Sequence, residues 1–316
     1  MGTSDLGVGT GGVWTPAQAR RCGLSDDQVR QLLASGQWQR LRRGVLTDGG
    51  IEPDAAMRGW AAVVTASGTG GTGPPAAWAT GRTTARLLGL PLIDDDDPAT
   101  GVLDRVHDDV RVAPTRRPSQ RETLRIHRGV LGPDGLGAGG SCPTVTLGEA
   151  LLPLAAVLTF EALVCLLDAA LHRHLLDRSA LQAVVERSAG RPHCATLRTA
   201  ATLADPRAES PAETLARLLL RPVLPGLEPQ VPLQDRSGRV LARFDLADEQ
   251  LRLAVEADGR RGHAGGEMVA KDRFRDATAR GNGWSTERCT WWELRRRPGE
   301  FRARVVARAV ELAART

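Results

Sequence analysis

ARFDLADEQLRLAVEADGRRGH, from Ala242 to His263, reads as two strands joined by a short polar turn at Asp248–Gln250. Strand side chains alternate with a period of two, so Glu256 and Asp258 point to one face. A hairpin closed at that turn sets Asp245 on the neighbouring strand, within a few residues of their register. The stretch therefore gathers Asp245, Glu256, Asp258 and His263 in one neighbourhood. Three carboxylates and an imidazole at adjacent strand ends are what a metal-dependent phosphodiester-cleaving site needs. Their hard oxygens suit Mg²⁺ or Mn²⁺. Asp245 interrupts an otherwise apolar strand, a position that costs free energy unless the carboxylate is paired or coordinated.

The flanking sequence extends the hairpin into a domain beginning at about Glu209. Ser210, Pro211, Ala212 and Glu213 open a helix that runs through Arg221. PQVPLQD, RVLARFDLA and LRLAVEADG read as strands, Met268–Arg280 as a helix, Trp284–Thr290 as a strand and Pro298–Ala314 as a terminal helix. The order α-β-β-β-α-β-α predicts a mixed sheet flanked by helices over residues 209–316.

The other end of the chain has a different pattern. After a lead-in over residues 1–13, expected to be disordered, residues 14–50 form a small basic unit. Thr15 caps a short helix with Pro16 at its first position, and Ser25 with Gln28 makes a capping box for a second helix that Gly36 ends. QWQRLRRGVLT then alternates like a β-wing. Helix, tight turn, helix and wing is the layout of a winged helix-turn-helix. Six arginines face three aspartates here, and Arg30, Arg40, Arg42 and Arg43 are the candidate contacts to DNA. Trp38 interleaves with the wing arginines; a small helical domain with a solvated basic face is the alternative.

Residues 51–205 predict a mainly helical middle with short strands around VLDRVHDDVRVAP and TLRIHRG. Phe160, Leu163, Val164, Leu167, Ala170 and Leu171 make one buried helical stripe, and Asp168 with His172, four residues apart, reads as a surface pair.

Composition narrows the class. With 41% hydrophobic and 25% charged residues the chain is expected to be a globular cytoplasmic protein, and no apolar run approaches the roughly 20 residues of a membrane span. The start lacks the basic and apolar regions of a signal peptide. Five scattered cysteines without a C-x-x-C pair argue against a disulfide framework or a zinc ribbon. The net charge of +5 is compatible with an acidic partner such as double-stranded DNA. All basic residues but Lys271 are arginine, the skew of a GC-rich genome, so their positions inform more than their number.

The C-terminal stretch resembles the restriction-endonuclease-like fold, and more closely the domains related to very-short-patch-repair mismatch endonucleases. The matching text is ESPAE at 209–213, EPQVPL at 228–233, FDLA at 244–247, VEADGRRGH at 255–263, DRFRD at 272–276 and GWSTERCTWWEL at 283–294. TPAQARRCGLSDDQVRQLLASGQWQRLRRGVL is similar to the winged-helix domain of AbiEi-type antitoxins. The resemblance implies an α/β chain in three parts. Asp245 is then the central metal ligand, completed by Glu256 and Asp258, with Glu213 as an accessory acid. His263 acts as general base or assists leaving-group protonation, and Arg273 and Arg275 hold flanking phosphates. The implied reaction is hydrolysis of a DNA phosphodiester by metal-activated water. The implied alternative is an antitoxin-like repressor with an inert nuclease fold and a toxin partner encoded nearby.

Each residue also has a plainer reading. Glu213 can complete a capping box on Ser210, Glu256 can pair with Arg243 or Arg273, Asp258-Gly259 can be a turn, and His263 can sit on a surface loop. The wider fold usually carries Lys two residues after the Glu, where this chain has Asp258.

Overall fold

A computed structural model describes residues 11–68, 76–95, 107–115, 124–131, 135–137, 142–235, 237–258 and 277–315. The protein is a mixed α/β chain that divides into two compact units. One holds the residues up to Thr159 together with Arg178–Thr199; the other holds Phe160–Asp177 and Ala200–Thr316. The sequence alone suggests divisions at 50/51 and 205/209. Among the described residues no helix is long and apolar enough to cross a membrane.

In the first unit, local sequence dictates the opening elements. Thr15 Oγ1 accepts from Gln18 N while Thr15 N donates to Gln18 Oε1, starting α1 (Pro16–Arg21). Ser25 and Gln28 repeat that reciprocal cap on α2 (Asp26–Ala34). Gly36, at φ 73°, then takes the left-handed turn that a side chain would resist. A hairpin of β1 (Trp38–Arg42) and β2 (Val45–Asp48) follows. Trp14 pairs with Leu46, and its ring stacks on Trp38 with centroids 6.3 Å apart. Trp38 is thus core, packed with Ala19, Val29 and Leu46, and not part of a basic surface.

The middle contains more sheet than its sequence suggested. Its strands are β3 (Ala77–Ala79), β4 (Asp108–Val112), β5 (Leu124–Arg128), β6 (Leu136–Gly137) and β7 (Thr144–Val145), in the order β5-β4-β3-β7-β6. Two of them are two residues long, too short for alternation to register. β4 is buried along its length although it carries Asp108, Asp109 and Arg111. Each charge has partners: Asp109 accepts from Arg82 N at 3.0 Å and lies 2.9 Å from His127 Nε2, and Arg111 pairs with Glu149 at 2.6 Å. The helices of this unit include α3 (Ala55–Ser67), α4 (Gly81–Leu87), α5 (Leu147–Ala155) and α7 (Arg178–Arg187). A further helix, α8, spans Cys194–Leu203.

The second unit is built on a four-stranded sheet of β8 (Glu228–Gln234), β9 (Val240–Asp248), β10 (Leu253–Asp258) and β11 (Ser285–Thr290), in the order β11-β10-β9-β8. Asp248 Oδ1 accepts from the backbone of Gln250 and Leu251, both at 3.0 Å, and so closes the expected hairpin between β9 and β10. β11 lies parallel to β10, which a direct turn cannot achieve. As the edge strand it tolerates its polar residues, and Glu287 pairs with Arg304 at 3.2 Å. α6 (Phe160–His172) and α9 (Pro211–Leu220) pack together, while α10 (Trp291–Arg296) and α11 (Pro298–Ala313) close the unit. α6 is buried on nearly every side, where a single stripe had been expected.

Candidate functional site

The paired register of β9 and β10 runs from Leu253↔Asp248 to Val255↔Leu246, which leaves Glu256 facing Asp245 at the next position. There the Asp245 carboxylate enters the strand pairing: Ala257 N donates to Asp245 Oδ2 at 2.8 Å. Ala257 is the residue between Glu256 and Asp258, so Asp245 reaches the segment that carries both. Glu256 is buried, and the strand period sets it on the same face as Asp245. The backbone of Asp258 continues β10 opposite Thr290.

On the far side of β9 the register pairs Pro229 with Leu246 and Val231 with Phe244, placing Gln230 across from Asp245. Gln230 has φ 59°, a left-handed conformation unusual for a side chain of its size. Its amide donates to Glu213 Oε2 at 2.8 Å, and Glu209 N donates to the same oxygen at 2.9 Å. Glu213 therefore does not complete the box on Ser210. Ser210 Oγ caps Glu213 N at 3.2 Å, while the Glu213 side chain turns to the residue before the cap. Burial, joined by the negative charge of Asp245, pushes the Glu213 carboxyl above its ordinary range. Glu213, Gln230 and Asp245 thus gather at the start of α9 as an acidic face, with the strand segment that carries Glu256 running next to Asp245.

α9 is pinned by a group that sequence reading misplaced. Asp168 is buried in α6 and accepts from Arg217 at 2.6 Å, from Thr214 Oγ1 at 2.7 Å and from Asp205 N at 2.7 Å. His172 instead lies 3.0 Å from Pro206 O. A lone acid inside an apolar helix was the available signal; its partner lies 49 positions away, beyond any periodicity. Gln230 carried no comparable signal apart from the prolines that flank it.

Glu213 is buried and Asp245 half-buried, and both offer the hard oxygen donors that a divalent cation prefers. Among the described residues no three His, Cys, Asp or Glu side chains converge closely enough to hold a metal. His263, Arg273 and Arg275 lie outside the described residues, as does Lys271. Arg243 pairs with Glu209 at 2.7 Å.

In the first unit Arg40 and Arg43 are exposed, and Arg30 is exposed while paired with Asp27 at 2.8 Å. Arg42 differs. Its guanidinium turns inward to Asp108, which also binds Arg86 at 3.0 Å; Arg86 continues to Asp95 at 2.7 Å, and Asp95 to Arg82 at 3.2 Å. A residue held in that chain supports the hairpin more than it serves a free phosphate.

No family model matches the chain. It is similar to two uncharacterized proteins of Mycobacterium tuberculosis from different strains, each 34% identical over 140 residues, which is 44% of this chain and 51% of the relative. The alignment thus spans about half the length of the curated relatives.

Proposed function

We propose that the protein is a Mg²⁺- or Mn²⁺-dependent DNA endonuclease or nicking enzyme acting from the β9–β10 face. The observation that carries this reading is the Asp245 carboxylate, held against Ala257 N between Glu256 and Asp258 with buried Glu213 beside it. In the reading, Asp245, Glu256 and Asp258 hold the ion, which when bound lowers the pKa of a water and neutralises charge on the phosphate. The hydrogen bond from Ala257 N orients Asp245. Glu213, whose proton is retained above the usual carboxylate range, holds a proton next to that centre. His263 serves as base or water-orienting group, and Arg273 and Arg275 bind flanking phosphates. Arg30, Arg40 and Arg43 contribute the sequence-independent attraction to double-stranded DNA.

The test is nicking of supercoiled plasmid with and without Mg²⁺ or Mn²⁺. Asp245→Ala is expected to reduce metal-dependent nicking to background while DNA binding persists. A variant that cuts as fast as the parent overturns the site.

A second reading has one observation in its favour, the exposure of Arg40 and Arg43 on the hairpin of the first unit. It is a repressor of the AbiEi-antitoxin type with an inert nuclease fold and a separate toxin partner. Operator binding by a parent protein that never nicks DNA under either metal would select it.

A further inference from the structure

The second unit has a polar cavity of about 420 Å³ away from the acidic face, lined by Arg280, Trp284, Ser285, Thr286, Arg288 and Arg308. Among the described residues, three arginines and no carboxylate line it. Arg308 is held by Ser285, itself in the lining, whose Oγ accepts from Nε at 2.7 Å, and by Glu311, which accepts from a second nitrogen at 2.8 Å. Arg280 makes no ion pair among the described residues. Glu311 offsets the charge of Arg308, whereas an anion in the concavity gives Arg280 a counter-charge that no described residue supplies. Forked guanidinium donors beside the hydroxyls of Ser285 and Thr286 match a tetrahedral phosphate, which accepts several hydrogen bonds at once. Trp284 packs its ring on Phe244 with centroids 4.8 Å apart and gives the cavity a rigid wall.

Position favours a phosphate carried on a strand. Arg288 is the register partner of Glu256, so the strand that carries part of the lining runs one strand spacing, about 4.8 Å, from the strand that carries Glu256. We propose that this cavity binds a phosphate group of a nucleic-acid strand, flanking the phosphate presented to Asp245 and Glu256. The strand as source rests on the nuclease reading; the affinity for phosphate does not.

The experiment uses the full chain in the presence of a metal chelator. Inorganic pyrophosphate and a short DNA duplex are titrated into the parent, Asp245→Asn and Arg280→Ala/Arg308→Gln, followed by tryptophan fluorescence and calorimetry. The parent and Asp245→Asn should bind pyrophosphate saturably. The double variant should bind roughly tenfold or more weakly, as for loss of charge-assisted hydrogen bonds. Duplex should displace pyrophosphate, and the double variant should lower the salt slope of duplex binding by about 2. Arg280→Glu, at an exposed side chain, repeats the test if the double variant does not fold. Pyrophosphate binding that duplex fails to displace overturns the strand assignment and leaves a small-phosphate site. No saturable binding, or binding that ignores every arginine variant, overturns the proposal. Failure of plasmid nicking with phosphate binding intact counts against the nuclease reading alone.

Discussion

Glu213 is a carboxyl that folding makes harder to ionise. Burial is the main cause and the charge on Asp245 adds to it, so its folded pKa stands above the ordinary value of 4.5. Between those two pKa values the folded chain binds more proton than the unfolded one, and stability falls as pH rises through that window. Glu213→Gln removes the titration while keeping an oxygen for Gln230 and Glu209 to donate to. The stability of the variant relative to the parent should therefore rise with pH from about 4.5 and then level off, as read by urea unfolding across a pH series. A difference that stays constant with pH would show that Glu213 is ionised alike in both states. Such a residue reads in sequence as a cap, because Ser210 three positions earlier is real evidence for one. Its burial and its second carboxylate neighbour depend on β8 and β9 folding beneath it.

α9 has two kinds of determinant. Its start is local: Ser210 and Pro211 specify it within a single turn, and this much was legible. Its placement is not local, since Asp168 of α6 and Arg217 form an ion pair with both side chains about 2% exposed, and Thr214 and Asp205 N share the same carboxylate. Removing one partner of a buried pair leaves the other charge without compensation and typically costs about 3–5 kcal/mol. Asp168→Ala should lose stability on that scale, and Asp168→Leu with Arg217→Met should recover most of it in thermal or urea unfolding. Equal losses in the single and double variants would mean that the pair is not what holds α9. The hairpin of β9 and β10 lies at the other extreme. Its turn is closed by Asp248 within three residues, so sequence and structure agree on it closely.

At the level of the molecule, an excess of five positive charges is spread unevenly in its availability. Arg40 and Arg43 face solvent, whereas Arg42 belongs to the chain Arg42–Asp108–Arg86–Asp95–Arg82 within the first unit. Arg40→Ala with Arg43→Ala should weaken DNA binding and lower its salt slope by about 2, without shifting the unfolding transition. Arg42→Ala should do the reverse, lowering stability with little change in salt slope. Identical effects from both changes would make the distinction between them empty. Three adjacent basic letters could not reveal this division, because Asp108 lies 66 positions away and sequence spacing carries no record of that contact.

Helix caps, turns and strand period followed from the residues alone, since each depends on hydrogen bonds or side-chain directions set within a few positions. The hairpin that brings Asp245 next to the segment of Glu256 was likewise written in the alternation of two strands and the turn between them. Folding in three dimensions settled which charges found partners: Asp168 with Arg217, Arg42 with Asp108, and Glu213 with Gln230. Those pairings join positions far apart in the chain, and a buried charge takes its partner from whatever packing brings near, which periodicity does not encode.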